Sequence, residues 1–121
     1  MSVIKANNIT NVAGNIPTVK GQTLIPTAWI NFNGTNTISI RSSENVSSIA
    51  DVGTGRVLIN FATAMANTQY VAQGDHDTPS GHQQNVFIRD THSTTQLKVE
   101  TTNTNYIDVT SCTVIILGGQ A

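Results

Sequence analysis

The chain has 121 residues, enough for one domain around a single hydrophobic core and too few for two. With 6 Lys and Arg against 7 Asp and Glu and a formal net charge of -1, it lacks the basic stripe that follows a phosphate backbone, which excludes nucleic acid as a partner. Only 11% of residues are charged and 5% aromatic, and Thr with Asn fill about a quarter of the chain, so its surface is one of neutral hydrogen-bonding groups.

Residues 1–27 scatter Val3, Ile4, Ile9, Val12, Ile16 and Val19 among Gly14, Pro17, Gly21 and Pro26, a mixture that sustains neither a helix nor a long strand. This segment reads as an extended arm ahead of a globular module over 28–121. MSVIKANNIT lacks the apolar core of a signal peptide, and no run approaches the roughly 18 apolar residues a bilayer crossing needs. The expectation is a chain made and kept in a cytosol, with no membrane insertion. The glycosylation matches at Asn8, Asn33 and Asn45 then follow from composition alone.

From Ala28 onward the sequence alternates. In AWINFN, residues Ala28, Ile30 and Phe32 share one face and Trp29, Asn31 and Asn33 the other, the pattern of a strand with one wet side. Strands are expected at 28–33, 36–42, 45–50, 56–61, 69–73, 85–90, 96–101, 105–110 and 112–117. Asn33-Gly34 and Gly53-Thr54-Gly55 read as hairpin turns; the latter lacks the Lys-Ser or Lys-Thr of a phosphate loop. ATAMAN at 62–67 could supply one helical turn at most. Strands recurring about every 8 to 12 residues make an all-β fold, an antiparallel sandwich that is jelly-roll-like or closed into a barrel. Thin aromatic content makes a monomer marginal, and Thr- and Asn-rich edges favour symmetric association.

Few residues suggest chemistry. Gly74 to His82 gathers Asp75, His76, Asp77 and His82 into a loop bounded by Gly and Pro, with His92 beyond, and such groups ligate metals or move protons. The His-x5-His spacing fits no zinc signature, and Ser80, His82 and Asp77 lie too close in sequence for a triad, so neither a metal, a cofactor nor an enzymatic activity is expected. Cys112, the one cysteine, reads as a small buried strand residue. Arg41, Arg56, Arg89 and Asp90 read as solvated strand-face charges. Trp29, the sole tryptophan, falls opposite the apolar face, where it is either covered or free to stack on a sugar; packing is the favoured reading.

The segment AWINFNGTNTISIRSSENVSSIADVGTGRVLINFATAM resembles a module of bacteriophage tail-fibre and virion surface proteins, with A-W-V-N-F-N-G-T, N-V-S-S-I and G-T-G in the same order and at similar spacing. The match covers about a third of the chain, and more loosely IKANNITNVAG and YIDVTSCTVIILGG resemble its lead-in and final strand pair. The resemblance implies a non-enzymatic, commonly trimeric part of a phage particle, made in the host bacterial cytoplasm and residing in the virion. A leader of about 27 residues in place of a long shaft points to a capsid decoration subunit or short fibre. On that reading Val3, Ile4, Ile9, Val12, Ile16 and Val19 grip capsid or tail proteins, while Trp29, Asp75, His76, Asp77 and His82 are candidates for touching host surface glycan. The alternative is a free carbohydrate-binding module.

Overall fold

The computed structural model describes residues 3, 5–10, 12, 13, 26–78 and 84–119. Every strand in this range pairs antiparallel: β1 (Ala28–Asn33), β2 (Ser39–Glu44), β3 (Val46–Gly53), β4 (Arg56–Phe61), β5 (Val71–His76), β6 (Gln84–Asn85), β7 (Phe87–His92), β8 (Gln96–Glu100), β9 (Thr102–Asn103), β10 (Asn105–Tyr106) and β11 (Cys112–Leu117). They form a five-stranded sheet, β2-β1-β11-β5-β6, a four-stranded sheet, β3-β4-β8-β7, and the small ribbon β10-β9. The all-β, sandwich-like packing expected from strand spacing is what the two larger sheets make. Among the described residues no helix is long and apolar enough to cross a membrane.

The core follows from alternation. Ala28, Ile30 and Phe32 of β1 and Cys112, Val114 and Ile116 of β11 point inward from one sheet; Val57, Ile59 and Phe61 of β4 and Leu97 and Val99 of β8 point inward from the other. Each Val, Ile, Leu or Phe so buried contributes roughly 1.5–3 kcal/mol. Cys112 takes its expected place, fully buried, and burial pushes its thiol up to about 12, helped by the nearby Asp75 and Asp77 carboxylates.

Several strand boundaries differ from the expected ones, among them the end of β3, which runs on to Gly53, and three differ for evident local reasons. The strand expected at 36–42 begins only at Ser39, because Asn33 Oδ1 accepts from the Thr35 N–H at 3.1 Å and Asn36 adopts φ 54°, turning the chain before it can pair. The strand expected at 69–73 starts at Val71 and runs on to His76, so Gly74, Asp75 and His76 of the presumed polar loop are ladder. Gly74 permits it, since a Cβ there would collide with the Thr113 carbonyl oxygen of β11. At 105–110 only Asn105–Tyr106 pairs, after a turn at Thr104 with φ 66°. Residues 62–67 form bends with Met65 buried, and no helical turn appears.

Two of the passages from one sheet to the other are made by single residues. Between β2 and β3 lies Asn45, with φ 55°; its Nδ2 donates to the carbonyls of Thr27 and Thr63, and its Oδ1 accepts the Thr63 N–H at 2.7 Å. Between β6 and β7 lies buried Val86, whose N–H donates to Gly74 O at 3.1 Å. The strand expected at 85–90 is thereby split between the sheets.

Candidate functional site

The outer face of the five-stranded sheet places side chains in rows. Ladder pairing sets Trp29 of β1 opposite Ile115 of β11, and Ile115 opposite Gln73 of β5; the next row is Asn31, Thr113 and Asp75. On this face Trp29 is 37% exposed and Ile115 43%. Thr113 Oγ1 donates to Asp75 Oδ1 at 2.5 Å. Arg41 Nη1 donates to Asn31 Oδ1 at 3.3 Å and to the Phe32 carbonyl, and Nη2 donates to Thr110 O, so Arg41 clamps three segments and is no free surface charge. Trp29, Asn31, Gln73, Asp75, Thr113 and Ile115 line a shallow groove of about 530 Å³.

The Asp75, His76 and Asp77 run is divided by the alternation of β5. Asp75 faces outward into this groove, while His76 is 2% exposed and points into the core opposite Cys112. His76 Nδ1 lies 2.8 Å from the Asp77 carbonyl oxygen, which can only accept, so Nδ1 carries the proton; Nε2 is buried without a partner among the described residues. Asp77 staples the end of β5 to the approach to β11. Its Oδ2 accepts from Thr110 Oγ1 at 2.7 Å and its Oδ1 from the Ser111 N–H at 3.0 Å, and the Thr110 bond above all holds its carboxyl below the usual range. A carboxylate so held is a poor general base. Pro79, Ser80, Gly81 and His82 lie outside the described residues. Within those described, no three His, Cys, Asp or Glu side chains gather as a metal would require. His92 stacks on Tyr70, ring centroids 4.1 Å apart.

Of the leader positions, Val3, Ile9 and Val12 are exposed, at 69%, 67% and 111% of their reference areas; Ile4, Ile16 and Val19 lie outside the described residues. The structure thus sets Trp29 and Asp75 along one groove and turns His76 into the core, while Asp77 is held at the strand end by Thr110 and Ser111.

Sequence reading missed a second cluster, on the outer face of the four-stranded sheet. Glu100 of β8 sits opposite Arg56 of β4, only 3% exposed, with Lys98 Nζ 3.9 Å from its Oε1 and the Tyr106 hydroxyl donating to its Oε2 at 3.2 Å. The Arg56 guanidinium lies 5.0 Å from the Tyr106 ring centroid, and its Nε is buried without a hydrogen bond. Arg56 is thus half-buried in a packed group; the side chains of Arg89 and Asp90 lie outside the described residues. Nearby, the Gly55 turn is socketed: its N–H donates to Asp108 Oδ1 at 2.8 Å, its carbonyl accepts the Thr101 N–H at 2.8 Å, and a Cβ would meet Ile107 backbone atoms at 2.7 Å. Only the fold brings these residues together, and no short motif announces them.

No family model, no curated protein and no solved structure matches this chain.

Proposed function

We propose that this protein is a non-enzymatic structural subunit of a bacteriophage virion, carried on the particle surface as a capsid decoration subunit or short fibre and working as a homotrimer. The observation that carries the reading is the leader. Val3, Ile9 and Val12 hold their apolar side chains in solvent, which costs free energy unless another surface receives them, and capsid or tail proteins are the partners the sequence resemblance implies. The groups that first suggested catalysis support the same view. His76 and Asp77 are occupied in the core and in a strand-end staple, where they hold structure.

In this reading residues 28–121 form a jelly-roll-like module whose edges a threefold assembly covers, and the arm over 1–27 attaches it. Light scattering on the purified chain should give the mass of three 12.9 kDa subunits, and cross-linking in purified particles should join the leader to a capsid or tail protein. A stable monomer at micromolar concentration, with no copy in purified particles, overturns it. The alternative, a free carbohydrate-binding module, draws on the half-exposed Trp29 and predicts that same lone monomer.

A further inference from the structure

We propose that the outer face of the five-stranded sheet is a binding site for a neutral hexopyranose unit, with Trp29 as platform and Asn31, Gln73 and Asp75 as its hydrogen-bonding fence. The site rests on the reading of this face as open, and it holds whether the protein works in a particle or alone.

The two rows differ in chemistry in the way that a sugar ring does. Trp29 and Ile115 make an apolar row, 37% and 43% exposed. Asn31, Thr113 and Asp75 make a polar row two residues further along the strands, roughly 7 Å away. A pyranose presents C–H groups on one face and hydroxyls around its rim, so an indole beneath and amide and carboxylate groups at the side satisfy both.

The polar groups are already oriented, and each retains unused capacity. Arg41 Nη1 donates to the Asn31 oxygen, and no described hydrogen bond uses the two donors of the Asn31 NH2. Asp75 accepts from Thr113 on Oδ1, leaving Oδ2 as an acceptor. The Gln73 side chain makes no hydrogen bond to the described residues and offers both a donor and an acceptor. Each sugar hydroxyl both donates and accepts, which matches this mixed set. Neutral sugar is favoured over anionic, because Asp75 lines the groove and Glu44 stands opposite Trp29 on β2, while Arg41, the nearby cation, is held by the Phe32 and Thr110 carbonyls and by Asn31. The same charges argue against a second copy of this chain as occupant, since covering the face would strip water from Asp75 without a cation to receive it.

Trp29 is the sole tryptophan, so its fluorescence reports this site alone. The full chain is titrated with lactose, maltose, cellobiose, mannobiose and chitobiose, and with 3'-sialyllactose as the anionic comparator. At least one neutral disaccharide should shift the emission saturably in the millimolar range or tighter, and bind better than the sialylated sugar. By calorimetry Gln73→Ala and Asp75→Asn should each weaken binding about fivefold. Trp29→Ala should abolish it, with the circular dichroism unchanged, and Trp29→Phe should retain part of it. The proposal is overturned if no neutral sugar moves the emission, if binding survives Trp29→Ala, if the sialylated sugar binds best, or if emission follows protein concentration and ignores sugar. None of these outcomes bears on subunit mass or presence in particles, so this site and the virion reading fail separately.

Discussion

The two sheets carry very different outer faces. On the four-stranded sheet, Glu100, Lys98, Arg56 and Tyr106 hold one another, with the carboxylate 3% exposed; on the five-stranded sheet, Trp29, Ile115 and Gln73 are exposed, and Asn31 and Asp75 are each tied by one hydrogen-bonded neighbour, Arg41 and Thr113. A polar group whose partners all lie within the chain contributes to stability, whereas one with an unused donor or acceptor is available to something else. The contrast sets a face reinforced by its own side chains against one with hydrogen-bonding capacity left over.

The contrast breaks most sharply at Glu100. Glu100→Ala removes the carboxylate between Lys98 and Tyr106 beneath the Arg56 guanidinium, and it should lower unfolding free energy in urea by about 3 kcal/mol without altering the response of Trp29 to sugar. A loss below about 0.5 kcal/mol would show that this face is as loosely engaged as the other.

Next comes the joint between the sheets. Asn45→Ala loses three side-chain hydrogen bonds and places a Cβ-bearing residue that tolerates it poorly at φ 55°, for an expected cost of about 2 kcal/mol. Asn45→Gly keeps the backbone permissive and should recover part of that loss, with thermal denaturation of the two variants separating strain from bonding.

Titration gives a smaller effect. The lowered pKa of Asp77 contributes stability that is present above the ordinary carboxylate value near about 3.9 and lost as pH falls through its folded value. Thr110→Val removes the principal cause and should flatten the acid limb of the melting temperature against pH. On the alkaline side the raised values of Cys112 and Tyr70, both about 12, work the other way: stability is full below their unfolded values of about 8.5 and 10, and declines as pH climbs toward 12. Cys112→Ala should remove its share of that decline. The smallest change is expected at Gln73→Ala on the open face, within about 0.5 kcal/mol of the parent.

How far the sequence revealed all this depended on whether a feature was local. β1, β4 and β11 fall where alternation and turn residues place them, because burying one face of a strand needs only a period of two. Gly74 misled, since a glycine that looks like a turn is here a close approach between two strands 40 residues apart in the chain. Trp29 was correctly placed on the wet face, yet its openness depends on what lies beside it on β11 and β5. Asn45 looked like composition and is a corner pin; its partners, Thr27 and Thr63, are each 18 residues away. The group around Glu100 stayed hidden for the same reason, since Arg56 reaches it across ladder register and Tyr106 from the β9-β10 ribbon.

The position of β11 has a consequence for the order in which the molecule is built. It lies between β1 and β5, so the five-stranded sheet has a gap through its middle until Cys112–Leu117 has left the ribosome. Until then β1 and β5 present bare edges along the sides that β11 will join, the kind of surface to which a neighbouring nascent chain can add. Folding of this sheet is therefore a late event dominated by distant pairings, and yield in cells should depend on temperature and expression rate more steeply than equilibrium stability alone suggests.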